Sequence, residues 1–474
     1  MDTEISQLET DEVCRKYGLS ERSAYNVVRG HPWDKVQAMQ ANVWSSENPQ
    51  GLISLGVAEN PLLQHEVGTY IKNSIAATDN DHLRYGVGPR GSPRLRKALA
   101  SFFNLEFRSH DPVRDRDVLI LPGVMSVLDS LTWSICNEGE GIIVPLPFYT
   151  GFNPAVQERS RGVLIQASFQ SLEGYHSLDD VFSPVIIQQA LEGALQKAAA
   201  NGVKIRAVLI SNPHNPLGRC YPAETVREIA RFCGSNSLHL ISDEIFAKSV
   251  YENPRASDAR PFTSVISLNL SDLIAPHLVH VAYGAGKDFC ASGLRIGVLL
   301  SRNDGIISAV SSISVFQWVP YLTQNAWAEM LEDDHLLAGF HARNAKILGQ
   351  HCEIAQAFLE EHKIPYYRNA NAGTFLWIDL RRYLQNNDKQ QTGLNLSISG
   401  SPLPNVESYR HRESELCKRC FEFGVGISPG SSFSTEELGW FRICFAVEKQ
   451  ALYIGLQRLL ECLRAIEAGN REEP

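Results

Sequence analysis

Nowhere do the 474 residues contain an apolar run approaching the ~18 that a membrane-spanning helix needs, so the chain is not expected to cross a bilayer. The N-terminal stretch MDTEISQLETDEVCRK is acidic and polar and has no apolar core, which excludes a secretory signal and points to the cytoplasm. A basic stripe is missing too. With a net charge of −9 spread over this length, nucleic acid and anionic membranes are poor partners. The ten cysteines lack the dense, even spacing of a secreted disulfide scaffold. One pair, Cys417 and Cys420, has CxxC spacing within ESELCKRCFEF. Neither a second pair nor suitable histidines follow, so no metal is expected there and the segment reads as an amphipathic helix.

What is present is the composition of a globular protein, 44% hydrophobic and 20% charged, on a chain long enough for two domains. Short β-branched runs alternate with helical stretches through the middle, the pattern of an α/β domain on a largely parallel sheet. The expected strands are residues 117–123, 141–147, 162–169, 205–211, 238–245, 277–284 and 296–301, with helices over 125–136 and 223–234 among them. Beyond about residue 330 long helices take over, with two short strands, GTFLWIDL and WFRICFA, set between them. The expected organisation is therefore an N-terminal arm (1–60) joining a small α+β domain (331–474), around a large α/β domain (61–330). Residues 384–408, polar and rich in Asn, Gln, Ser and Pro, read as a surface insertion or mobile loop.

Ligands of open α/β sheets collect beyond the carboxyl ends of the strands, and four expected strands run into polar or glycine-bearing signals there. IRAVLIS leads into Asn215 through SNPHNPLG, LHLIS into Asp243, and HLVHVAYG into Lys287, with Arg295 eight residues on; DVLIL leads into Gly123, which opens a helix through Val124 and Met125. Singly, each has an ordinary reading: a solvated lysine, a capping aspartate, a turn asparagine, a surface arginine. Together they match what pyridoxal 5'-phosphate chemistry requires. A lysine bonds the cofactor and moves protons, and a buried carboxylate keeps the pyridine nitrogen protonated. A donor holds the phenolic oxygen, and an arginine with a helix N-terminus holds the phosphate. Lys287, Asp243, Asn215 and Arg295 take those roles in that order.

Those stretches, with GVAEN (56–60), GKDFCASGLRIG (286–297), NAGTFLWIDLR (371–381) and SPGSSF…GWFRICFA (428–446), resemble fold-type I enzymes of aminotransferase class I/II, in the 1-aminocyclopropane-1-carboxylate (ACC) synthase-like branch. The resemblance runs from about residue 45 to near the C-terminus. It implies a mostly parallel seven-stranded sheet and a homodimer with shared active sites. It also implies that Arg442 grips the α-carboxylate of an amino-acid substrate, that Tyr149 stacks on the cofactor, and that Tyr85 reaches the partner subunit's phosphate group. Glu59 and Asn60 fall near the substrate mouth. Donors common in the family are absent at four positions: Phe246 stands where a tyrosine is usual, Gly284 and Gly286 where serines are, and Met125, followed by Ser126, where a threonine is. Three functions remain open: an ACC synthase-like lyase (elimination, C–S cleavage or ring closure), an aminotransferase, or a catalytically silent relative.

Overall fold

The computed structural model describes residues 7–30, 41–77, 80–86, 88–384 and 406–472. Its strands, in chain order, are β1 (Ile53–Ser54), β2 (Val118–Leu121), β3 (Gly141–Pro145), β4 (Val163–Ala167), β5 (Ile205–Ser211) and β6 (His239–Asp243). They continue with β7 (Val279–Gly284), β8 (Gly297–Ser301), β9 (Phe375–Asp379), β10 (Val425–Gly426), β11 (Ser428–Pro429) and β12 (Trp440–Cys444). Seven of these form one sheet in the order β2-β8-β7-β6-β5-β3-β4. Each of the seven strands expected between residues 117 and 301 is present, β5 with the expected bounds and the other six shorter by one to three residues. β8 runs antiparallel to both of its neighbours, β2 and β7, and the other pairings of this sheet are parallel.

Near-continuous apolar runs such as Val118–Leu121 are what a sheet covered on both faces requires. The helix Pro184–Ala200 packs on β3 and β4, and the helix Val124–Ile135 lies against β7 and β8. Local chemistry sets their starts. Ser183 and Ser92 each cap a helix that opens with proline, the Ser92 hydroxyl accepting from Leu95 N at 3.1 Å.

A second, antiparallel sheet of order β11-β12-β9 is flanked by the helices Asp334–Glu361, Val406–Glu422 and Lys449–Glu472. The N-terminal segment is stitched into it. Strand β1 pairs in parallel with β10, and Leu55 O accepts from Cys444 N at 2.6 Å. Of the expected insertion at 384–408, residues 385–405 lie outside the described residues. Its ends differ from the expectation: Leu384 is buried, and Val406–Ser408 begin a helix. The CxxC pair lies in that same helix, with Cys420 Sγ 3.7 Å from Cys462 Sγ. Among the described residues no helix is long and apolar enough to cross a membrane, and no group of three His, Cys, Asp or Glu could hold a metal ion.

The antiparallel pairing of β7 with β8 fixes the region of interest. Gly284 faces Gly297 across the ladder, so the intervening loop must turn back sharply beyond the sheet edge. A Cβ on Gly297 would sit 2.3 Å from the backbone carbon of Gly123, and one on Gly284 would sit 2.6 Å from the Ile296 oxygen. Gly286 is roomier, its added Cβ meeting nothing nearer than 3.5 Å. Gly284→Ala is therefore expected to lower unfolding stability by ~1–3 kcal/mol, as overpacking does. Gly286→Ala should be neutral or stabilising by up to ~1 kcal/mol. Urea denaturation of the two variants reads the contrast, and equal effects would contradict it.

Candidate active site

The carboxyl ends of β5, β6 and β7 lie side by side and bring the charged residues together. Lys287 follows β7, and its amine donates to the Ala58 carbonyl of the N-terminal segment. Burial lowers the pKa of this amine; the Glu59 carboxylate opposes that shift, and Arg442 adds to it. Asp243 ends β6 and is buried, its Oδ1 accepting from Ile245 N at 3.3 Å. Burial pushes its carboxyl up to about 7, against the Ile245 N–H and the Lys287 charge.

Asn215, in the loop after β5, is buried and turns its Oδ1 to Arg442 Nη1 at 3.0 Å, so its Nδ2 donors point the other way. Arg442 lies in β12 of the second sheet. Its Nη2 donates to Gly56 O at 2.7 Å, and the guanidinium lies between the rings of Phe375 (5.0 Å) and Phe433 (4.7 Å). Its Nε is buried and has no hydrogen-bond partner among the described residues.

A cradle for an anion forms where the turn before β8 meets the helix Val124–Ile135. Arg295 adopts the left-handed conformation (φ 51°) and donates Nη1 to Ser292 O at 3.2 Å. Its guanidinium covers Gly123, where an added Cβ would lie 2.7 Å from Nη2 and where φ is +86°. Gly123 caps the helix, so the N–H groups of Val124 and Met125 lack intrahelical partners and face the same place. Ser126, the hydroxyl residue that follows Met125, donates to Pro122 O at 3.1 Å.

The remaining expected residues separate into two groups. Tyr149 is close enough for Arg442, Asp243 and Arg295 to act on its hydroxyl, whose pKa burial raises. Phe246 is buried edge-on to Phe375 (5.4 Å, 85°) and packs with Cys444 and Ala58. Glu59 is exposed at the rim, its Oε1 accepting from Ser292 Oγ at 2.7 Å. Asn60, by contrast, does not face the mouth. It is fully buried, and a buried amide needs a partner; its Nδ2 donates to Asn344 Oδ1 at 2.9 Å on the long helix. Tyr85 lies apart from these groups, 85% exposed against the Trp318 ring. Phe375, Phe433, Ser292 and the Gly56 and Ala58 carbonyls were not anticipated. No residue-type signal marks a carbonyl or a ring face.

Residues 50–459 match the family model described as aminotransferase class I and II. The chain belongs to that family. Among its relatives is the 1-aminocyclopropane-1-carboxylate synthase of Glycine max, 30% identical over 427 residues, covering 87% of this chain and 80% of that one. The 1-aminocyclopropane-1-carboxylate synthase 3 of Oryza sativa subsp. japonica is 31% identical, covering 87% of both. A Mus musculus protein named probable inactive 1-aminocyclopropane-1-carboxylate synthase-like protein 2 is 30% identical, covering 90% of this chain and 68% of that one. In fold, an aspartate aminotransferase double mutant of Thermus thermophilus superposes with a TM-score of 0.69 at 20% identity, over 94% of this chain and 99% of the other.

Enzymes of the aminotransferase class I and II family use pyridoxal 5'-phosphate. The residues here fit that group on their own geometry. The Gly123–Arg295 cradle suits a phosphate, and the buried Asp243, with no guanidinium or ammonium hydrogen-bonded to it among the described residues, suits a pyridinium N–H. Arg442 Nε keeps a donor for an incoming acid.

The electrostatics predict a pH dependence. An unfolded aspartate titrates near 3.9, while burial holds Asp243 at about 7. Between those values the folded state carries the extra proton, so stability falls as pH rises through that window and levels off above it. Glu244 and Asp288, also raised to about 7 by burial, act in the same direction. The buried His214, His239 and His341, held down to about 3 or 4 by burial, act in the opposite direction below about pH 6.5, so the variant isolates the Asp243 contribution. In the cofactor-free protein, Asp243→Asn should raise the melting temperature at about pH 8 relative to that at about pH 5.5. Pyridoxal phosphate should do the same. Calorimetry reads both, and an unchanged difference in the variant refutes the assignment.

Proposed function

We propose that this chain is a pyridoxal-phosphate lyase that breaks or closes a Cβ or Cγ bond of an α-amino acid, with Lys287 as the cofactor lysine. The observation that carries the reading is the convergence of Lys287, Asp243, Asn215 and Arg442 on one another beyond the ends of β5, β6 and β7. The resemblance to ACC synthases near 30% identity supports the reaction class.

When bound, the cofactor supplies an electron sink that stabilises negative charge at the substrate Cα. Asp243 would face the ring nitrogen, and Asn215, its Oδ1 committed to Arg442, would offer Nδ2 to the phenolic oxygen. Phe246 has no donor to add, so Asn215 acts without it there. Arg295 and the N–H groups of Val124 and Met125 would hold the phosphate, and the Tyr149 ring would face the cofactor.

Arg442 now donates to two neutral acceptors, the Asn215 and Gly56 oxygens. A carboxylate is the stronger acceptor and can take two N–H bonds at once. The Phe375 and Phe433 rings keep water from the guanidinium, which strengthens that pair. Lys287, its pKa lowered by burial, gives up its own proton more readily and would take and return the one at the substrate Cα. Glu59, at the rim beside it, would meet the substrate's distal end.

The division at residues 60 and 330 belongs to the same proposal, supported by the pairing of β1 with β10. So does a homodimer. Tyr85, Phe316 and Leu83, between 72% and 87% exposed around the Tyr85–Trp318 contact, make an apolar patch suited to a second copy. All ten cysteines are free, which supports the cytoplasm.

Transamination is the second reading, supported by the family to which the chain belongs. A silent relative is the third, and the retention of Lys287 and Arg442 argues against it. Product analysis with S-adenosylmethionine, cysteine conjugates and common amino acids separates them. Turnover should proceed without an added 2-oxo acid; a strict requirement for one makes the chain an aminotransferase. Arg442→Ala should cost ~2–5 kcal/mol of amino-acid binding, as loss of a buried charge partner does. Difference spectroscopy on the bound cofactor measures it. If the unaltered protein binds an amino acid and its decarboxylated amine equally well, Arg442 does not grip the carboxylate.

A further inference from the structure

The turn between Lys287 and β8 makes two different connections at one residue. The Ser292 carbonyl accepts from Arg295 Nη1 at 3.2 Å, while its hydroxyl donates to Glu59 Oε1 at 2.7 Å. Glu59 comes from the segment after β1, whose Ala58 carbonyl accepts from the Lys287 amine. A glutamate at an exposed rim loses rotamer entropy when held in one place. Something must hold it, and the Ser292 hydroxyl is the group that does so here.

The charges around Lys287 give that hold a consequence. Glu59 faces the amine from the N-terminal segment, Asp243 from the end of β6, Arg442 and Cys444 from β12, and Arg295 from the turn. Of the two carboxylates, Asp243 is buried and fixed, whereas Glu59 sits at an exposed rim. A glutamate freed from its hydroxyl partner could close on the buried Lys287 ammonium, whose charge it already favours. An ammonium cannot attack an aldehyde. Cofactor capture joins Nζ to the aldehyde carbon and releases water, and it needs the lone pair of the neutral amine.

We propose that Ser292 is a positioning residue whose hydroxyl holds the Glu59 carboxylate beside the Lys287 amine but off it, keeping that amine free to bond the cofactor. This rests on Lys287 being the cofactor lysine.

The test is the rate at which cofactor-free protein captures pyridoxal phosphate, followed by absorbance from about pH 6 to about pH 10. In Ser292→Ala the midpoint of the pH–rate profile should rise by about one unit, slowing capture at neutral pH about tenfold. Ser292→Thr, which keeps the hydroxyl, should behave like the unaltered protein. In the double variant Ser292→Ala/Glu59→Gln the midpoint should return to the original value or below it. An unchanged or lowered midpoint in Ser292→Ala overturns the proposal, as does a rise that persists in the double variant. If the unaltered protein captures no cofactor at Lys287, both this proposal and the reading beneath it fail; normal capture with identical profiles removes Ser292 alone.

Discussion

Backbone pressed on backbone at Gly123 and Gly297 is the constraint on which the site depends. No side chain fits between them, since an added Cβ on Gly297 would come within 2.3 Å of Gly123. That closeness brings the N-terminus of the helix Val124–Ile135 against the start of β8. The turn entering β8 then has nowhere to put Arg295 except over Gly123, and a left-handed residue lets it do so. The same turn leads back to Lys287. The Gly123–Arg295 cradle and the Lys287 amine are thus two ends of one short connection between antiparallel neighbours.

Around that connection the protein holds charges that water no longer solvates. Burial alone would neutralise Lys287 and Asp243, and their pKa values move toward each other accordingly. Neither is bonded to the other: the amine is on a backbone carbonyl, and the carboxylate accepts a single backbone N–H. Two groups kept apart in this way are available to a ligand with a donor for one end and an aldehyde for the other. Arg442 extends the pattern, since its contacts with an amide oxygen and a carbonyl are ones that a carboxylate can replace.

Much of this was legible in the residues. The seven strands stand out because a sheet covered on both faces needs unbroken β-branched runs, and Lys287, Asp243, Asn215 and Arg295 because the chemistry demands those residue types at strand ends. What stayed hidden works without a residue-type signature. Gly56 and Ala58 act through carbonyls, Phe375 and Phe433 through ring faces, and Ser292 through one hydroxyl in a turn. Asn60 misled for a related reason. With Glu59 it is expected near the substrate mouth, yet the chain turns its side chain inward to a partner 284 positions away. The order of strands in the sheet was not legible either, because sheet order is set by helices packing on both faces rather than by any single strand.

We propose Lys287 as the residue joined to the cofactor, and the other roles in the site depend on it. Borohydride reduction of the pyridoxal-phosphate-loaded protein, followed by proteolysis and peptide mass spectrometry, tests it directly. The reduced cofactor should be found on the peptide containing Lys287, and Lys287→Ala should carry none. A covalent adduct that maps to another lysine, or that survives in the alanine variant, would overturn that assignment.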